Sequence, residues 1–239
     1  MESSPTDIGT AIPPASRRWL HQMAGWTRHL GSVSWIAATY AIQQVLRLAS
    51  SILLAWLLAP ELLGTMLLIN ALRTGGELLT DVGVGQSIVN NRRGEESDFF
   101  NTAWTVQIVR GLLLFAAALA LTAPIAHAYG KPELLYLLPA AAPIFLLTGL
   151  TSPSRFLLQK RLEVRKLASF DLAMAVFGSA IQIVLAYFMP TIWALLIALL
   201  ISVAVPALAS FFLIDWRMHR LRWERTALRD IVHFGKWVF

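Results

Sequence analysis

Four polar residues, Asn70, Arg73, Glu77 and Asp81, fall at i, i+3, i+7 and i+11 within a stretch otherwise apolar enough to cross a membrane. That spacing places them along one helical face. Arg73 can pair with Glu77 at i, i+4, and Glu77 and Asp81 can share one cation. Gln43 and Arg47 align in the same way in the preceding apolar stretch, and Gln107 and Arg110 do so in the following one. A charged residue at the centre of a bilayer costs about 2.5–3.5 kcal/mol on the insertion scale, so an arginine there requires a partner or a function. Arg47, Arg73 and Arg110 each sit near the middle of their stretch, and two arrangements satisfy them. In one, the polar faces converge on a positively charged, water-accessible cavity suited to an anionic solute. In the other, Arg73–Glu77 and Arg47–Asp81 are ion pairs that only fix helix packing.

The elements that must position these residues follow from composition. Of the 239 residues, 56% are hydrophobic and 14% charged, and the mean hydropathy is +0.60, well outside the soluble average. Apolar runs of near-spanning length cover 35–58, 62–84, 102–123, 134–150, 170–188 and 192–214. At 1.5 Å per residue, about 20 residues cross a bilayer. Barrel strands would be half as long and would alternate apolar with polar. The sequence therefore predicts an all-α polytopic membrane protein with six transmembrane helices in a bundle over 35–214. Residues 1–16, rich in Ser, Thr and Pro, read as a disordered cytoplasmic tail, and 17–34 as an interfacial amphipathic segment. No cleavable signal peptide is visible.

Basic residues fix the expected orientation. Arg17, Arg18 and Arg28, then Arg92 and Arg93, the group from Arg155 to Lys166, and the tail from Arg217 to Lys236 all fall on one side if six helices alternate; the other side has Lys131. The positive-inside rule puts both termini in the cytoplasm. The pI near 10.2 then reflects topology and contact with anionic membrane lipids rather than nucleic acid. Loops on the opposite side are short, which predicts three antiparallel hairpins. Such loops offer no platform for an external active site. His21, His29, His127, His219 and His233 lack metal-ligand spacing, cysteine is absent, and no phosphate loop or nucleophile motif occurs. The sequence thus predicts a non-enzyme with no metal and no cofactor.

Several residues have plainer expectations. Pro139 and Pro143 should bend the fourth helix and Pro206 the sixth, while Gly75 and Gly76 should permit close helix approach. Trp35, Trp56, Trp193 and Trp216 suit interface anchors. Gln182 can bond across helices, and Asp171 can pair with Arg165 or Lys166. Residues 215–239 read as a basic amphipathic segment followed, from His233, by the first turn of a possible seventh helix.

The run ILLAWLLAPELLG at 52–64, with Pro60, Glu61 and Gly64, precedes LTDVGVGQSIVN at 79–90, with Asp81, Gly83 and Gly85. Together with the basic link SRFLLQKRLEVRKLASFD at 154–171, these resemble the N-terminal half of the polysaccharide flippase family. That family lies within the multidrug/oligosaccharidyl-lipid/polysaccharide exporter superfamily, whose members carry twelve or more helices in two halves. The resemblance implies translocation of an undecaprenyl-pyrophosphate-linked oligosaccharide for polysaccharide or lipopolysaccharide biosynthesis, by alternating access. On that reading Arg47, Arg73 and Arg110 hold the pyrophosphate or acidic sugars, and Asn70 and Gln107 contact hydroxyls. Glu77 or Asp81 couples to an ion, and a second half or a homodimer completes the transporter. A drug or metabolite antiporter of the same superfamily, or a non-transporting truncated half, would share the topology.

Overall fold

The computed structural model describes residues 15–81, 83–215 and 218–238, and among them every regular element is helical. Helix α1 (Ala15–Leu57) runs unbroken for 43 residues, so the segment 17–34 and the first apolar stretch are one rod. Most of the expected disordered tail lies outside the described residues, as do Trp216 and Arg217. Pro60 opens α2 (Pro60–Leu79) at its first turn, where its missing N–H costs nothing. The expected span 62–84 stops short at Leu79, because a turn intervenes before α3 (Val84–Asn90). After a 3-10 turn at Arg92–Glu95 come α4 (Ser97–Ala128), α5 (Leu134–Ala141) and α6 (Pro143–Leu150). The break between α5 and α6 falls immediately before Pro143, whose missing N–H removes a rung of the helical ladder while Ala142 keeps α-region backbone, φ −51° and ψ −36°. Pro124, Pro139 and Pro206 lie inside helices without ending them. Helices α7 (Ser154–Lys160), α8 (Val164–Phe188), α9 (Ile192–Ser210) and α10 (Arg225–Val238) complete the order.

Four of these helices are long and apolar enough to cross a membrane: 34–57 of α1, then α4, α8 and α9. A fifth is obtained if 134–150 and α7, bent by 42° at their junction, form one broken span. Helix α2 differs from the sequence expectation. Its 20 residues reach about 30 Å, but Asn70, Arg73 and Glu77 make it less apolar than the others. Large hydrophobic side chains are exposed along the spans, including Leu113 and Trp56, the latter 83% exposed. In water that would be costly; against acyl chains it is the ordinary state of a membrane helix.

Packing corrects the hairpin expectation at one place. Helices α8 and α9 pair, and α4 packs on α5 and α6, as short loops predict. Helices α1 and α2, however, are not each other's main neighbours: α1 packs on α8, and α2 on α9. An apolar cluster of Leu54, Leu58, Met66, Ile69, Leu134, Leu137, Leu195 and their neighbours fills the end of the bundle where the loops are shortest. A second cluster, built from Val84, Ile88, Phe99, Ala103, Ala227 and Ile231, fills the opposite end.

The tail is part of that second cluster. Ala227 and Ile231 of α10 are fully buried, so the helix begins eight residues before the turn expected at His233. Leading into it, the backbone N–H groups of Arg220, Arg222 and Glu224 donate to Asn101, Thr105 and Thr102 on α4, at 3.0, 3.3 and 3.1 Å. These bonds explain why Asn101 and Thr102 are buried polar residues in an apolar helix. Arg93 clamps the junction, 2.8 Å from Glu96 and 3.0 Å from Glu224. Thr226 and then Arg93 hold the Glu224 carboxyl below its ordinary range, while Glu224 and Glu96 push Arg93 up.

The long helices α4 and α6 cross backbone to backbone at Gly111 and Gly149, not at Gly75 or Gly76. A Cβ on Gly111 would lie 2.6 Å from the Phe145 carbonyl and 2.9 Å from the Gly149 Cα. One on Gly75 would meet nothing within 4 Å. Gly111→Ala should therefore lower the thermal midpoint of the detergent-purified protein, by the equivalent of about 1–3 kcal/mol, while Gly75→Ala leaves it unchanged or slightly higher. Equal midpoints would refute the close crossing.

A second test concerns the Glu224 clamp. Its carboxyl has a depressed pKa, so its contribution is present above the unfolded value and lost as pH falls through the folded one. Amide exchange across 225–231 should be slower in wild type than in Glu224→Gln at neutral pH, and the difference should close below the ordinary glutamate range. A difference that persists there would show the clamp is not electrostatic.

Candidate functional site

Between the two apolar clusters lies a cavity of ≈ 800 Å³, lined by α2, α3, α4, α6, α7, α8 and α9. Its charged groups are Glu77, Asp81, Arg110, Arg155 and Asp171, accompanied by Gln86, Gln107, Thr148, Thr151 and Gln159. Three carboxylates thus face two guanidinium groups. The lining is close to balanced in charge, where the sequence led us to expect a cationic cavity.

The turn that ends α2 builds one wall. Asp81 Oδ1 accepts the Gly83 N–H at 3.1 Å, and Gly83 adopts the left-handed conformation, φ 65°, that frees the chain to restart as α3. Gly85 then packs under Phe156, whose ring carbons would lie 2.3–2.8 Å from an added Cβ. The spacing Asp-x-Gly-x-Gly is therefore a side-chain-capped turn followed by a close helix contact. Arg110 reaches across from α4 to the same place. Its Nε donates to Thr80 Oγ1 at 3.0 Å, Nη2 donates to the Glu77 carbonyl, and Nη1 stands 3.5 Å from Asp81. A cation here adds a donor to the Glu77 carbonyl, which the Thr80 hydroxyl also reaches at 3.4 Å, and lies favourably at a helix C-terminus.

The opposite wall carries Arg155 and Asp171, paired at 2.8 Å between α7 and α8. The expected partners of Asp171 are engaged otherwise or not at all: Lys166 donates to the Leu213 carbonyl at 2.7 Å. This pair was not legible as a site, because the two residues are sixteen apart across a turn and follow no helical period. Arg155 reads from sequence simply as an inner-loop charge.

The remaining sequence candidates separate. Gln107 lines the cavity, but its amide nitrogen is committed to the Thr148 and Thr151 carbonyls, at 2.9 and 3.0 Å, where it closes the end of α6. Arg73 lies 3.7 Å from Glu77 and borders a separate, mostly apolar chamber of ≈ 200 Å³ with Leu72, Leu114 and Phe145. Neither Arg73 Nε nor Glu77 Oε1 has a hydrogen-bond partner, although both atoms are buried. Asn70 is half-buried and borders neither space. Arg47 lines a third cavity, of ≈ 410 Å³, between α1 and α8. The ion pair Arg47–Asp81 does not form; Asp81 belongs to Arg110. Among the described residues no group of three or more His, Asp or Glu is placed to hold a metal.

A family profile described as a polysaccharide biosynthesis protein matches residues 53–239. Among curated proteins, the teichuronic acid biosynthesis protein TuaB of Bacillus subtilis (strain 168) is 22% identical over 165 residues, which is 66% of this chain and 33% of TuaB. The chain therefore spans about a third of the length of that relative. No solved structure matches it.

The two roles of Asp81 can be separated. Asp81→Asn keeps an oxygen for the Gly83 N–H and loses the charge, whereas Asp81→Ala loses both. The Asn variant should lie between wild type and Ala in thermal stability, each step costing about 1 kcal/mol. Identical Asn and Ala variants would mean that the capped turn contributes nothing.

Proposed function

This chain belongs to the polysaccharide biosynthesis protein family, and from that premise we propose that it helps move a lipid-linked oligosaccharide across a bacterial plasma membrane. The observation that carries this reading is the polar cavity of ≈ 800 Å³ set between apolar clusters at both ends of a membrane-helix bundle. Its volume lies in the range of small-ligand sites, about 300–1,000 Å³. That suits a short hydrated headgroup, which hydrocarbon would expel. The apolar chamber beside Arg73 offers room for a stretch of lipid chain next to the polar route.

On this reading α2 crosses as a sixth span and the charged end, with α3, α7 and α10, faces the cytoplasm. The asymmetry of basic residues supports that orientation. The apolar cluster at the short-loop end closes the cavity outward, so the arrangement is one state of an alternating cycle, and a second bundle or a second copy supplies the other wall. The protein acts as a carrier and makes no covalent change in its cargo. Arg155 and Arg110 meet the anionic part of the headgroup by exchanging their carboxylate partners for it. Glu77 is the better placed coupling group: Asp81 is held by Arg110 and the Gly83 N–H, while Glu77 Oε1 has one loose cation and no hydrogen bond.

The test is surface glycan in a flippase-deficient bacterium carrying the chain, alone or with a complementary half. Arg155→Gln and Glu77→Gln should each reduce export at least about tenfold, the scale of one lost charge-assisted contact, with membrane abundance unchanged. Export that falls only in proportion to abundance would make these charges structural and sink the proposal.

A further inference from the structure

Helix α2 is packed into the bundle over one half only. Its buried residues, Thr65, Met66 and Ile69, all fall in its first half, where Met66 and Ile69 belong to the apolar cluster of the short-loop end. After Ile69 no residue of the helix is buried. Beyond the turn the chain is anchored again, since Val84 and Ile88 of α3 belong to the second cluster and Gly85 lies under Phe156. The piece between, from Glu77 to Asp81, joins two well-packed elements and buries none of its own residues.

Glycine stands at both ends of that piece. A Cβ on Gly75 would meet nothing within 4 Å, and one on Gly76 would meet Leu114 and Phe145 at the ordinary distances of 3.6 and 3.8 Å. Packing therefore requires neither glycine. What the pair does is weaken the helix, because glycine gives up more backbone freedom than alanine on becoming helical. Such pairs are recurrent bending points. Gly83 at the other end is left-handed, φ 65°. The side-chain link across the glycine pair is loose: Arg73 and Glu77 are 3.7 Å apart, and neither Arg73 Nε nor Glu77 Oε1 has a hydrogen-bond partner. Among the described residues, the polar links from Glu77–Asp81 to other helices all run to one side chain, Arg110 on α4.

Behind this piece three spaces lie in a row against α4. Arg73 and Gly76 line the apolar chamber, and Glu77, Leu78 and Asp81 line the main cavity. Between them is a void of ≈ 20 Å³, room for about one water. Leu114 and Phe145 border both chamber and void. Glu77, Gln107, Arg110 and Thr148 border both void and cavity. We infer that Glu77–Asp81 is a hinged lid, latched by Arg110, whose swing away from α4 joins the chamber to the main cavity. Closed, it leaves a constriction one water wide between an apolar space and a polar one. Open, it makes a single space with an apolar end and a polar end, which fits an amphiphile with its hydrocarbon in the chamber and its hydrated head in the cavity. The lid goes beyond the transport reading; the identity of the amphiphile rests on that reading.

The experiment combines hydrogen exchange, read by mass spectrometry on the full chain in detergent micelles, with thiol labelling. Amides of 77–81 should exchange at least about tenfold faster than those of 65–72 and 84–90. Gly75→Ala/Gly76→Ala should slow 77–81 about tenfold, the summed helix propensity of two such replacements, and leave 84–90 unchanged. Arg110→Gln should speed 77–81 about tenfold, the scale of one lost charge-assisted contact, again without change at 84–90. A speed-up spread over the whole bundle would mean that Arg110 stabilises the fold and latches nothing. The chain has no cysteine, so Leu114→Cys supplies a single thiol at the constriction. A charged methanethiosulfonate, which hydrocarbon excludes, should modify it about tenfold more slowly with the two alanines present, and faster with Arg110→Gln. The glycine variant carries the test if Arg110→Gln does not fold. Uniform exchange along α2, a glycine variant identical to wild type, or labelling indifferent to both changes would each overturn the lid. A moving lid without export in cells would remove the transport reading alone, and export with a static lid would remove the lid alone.

Discussion

Arg110 anchors the end of α2, the helix that carries Asn70, Arg73 and Glu77. One guanidinium from α4 takes the Glu77 carbonyl, the Thr80 hydroxyl and the Asp81 carboxylate together. It thereby caps α2, fixes the Asp81–Gly83 turn and sets where α3 begins. The Thr80 hydroxyl also reaches the Glu77 carbonyl, and the Gly83 N–H reaches Asp81; the guanidinium ties these groups into one cavity wall.

With that wall fixed, the remainder follows from a division of labour between ends. Apolar side chains close the short-loop end, and a mixed layer of α3, α7 and α10 closes the other. Between them lies the polar cavity, where each arginine on the wall has a carboxylate. This arrangement resolves the cost of intramembrane charge locally and leaves the cavity near neutrality. On the transport reading proposed above, an anionic headgroup would have to compete with Asp81 or Asp171 for its arginine.

How much of this was legible in the sequence depended on range. The helical class and the Arg73–Glu77 pair follow from spacing within a helix, as does the alignment of Gln107 with Arg110 on α4; that this face borders the same space as Glu77 and Asp81 comes from packing. The Asp-x-Gly-x-Gly turn was visible as a motif. Partners across helices were not: Arg155–Asp171 obeys no period, Asp81 chose Arg110 over Arg47, and α1 chose α8 over its sequence neighbour α2. The glycines that matter, Gly111 and Gly149, are isolated in two different helices, while the conspicuous Gly75–Gly76 pair faces open space or ordinary contact. Local pattern dictates which face is polar; only tertiary packing decides what that face meets.

The Gly111–Gly149 crossing has a mechanical consequence. With each glycine's missing side chain occupied by the other helix's backbone, α4 and α6 have no slack in which to slide or roll against each other. They form a rigid plate, and Gln107 bolts its lower edge through the Thr148 and Thr151 carbonyls. The transport reading therefore places any opening of the sealed end beside this plate, at the break before Pro143 or where α1 and α2 part company, with the plate as the fixed frame.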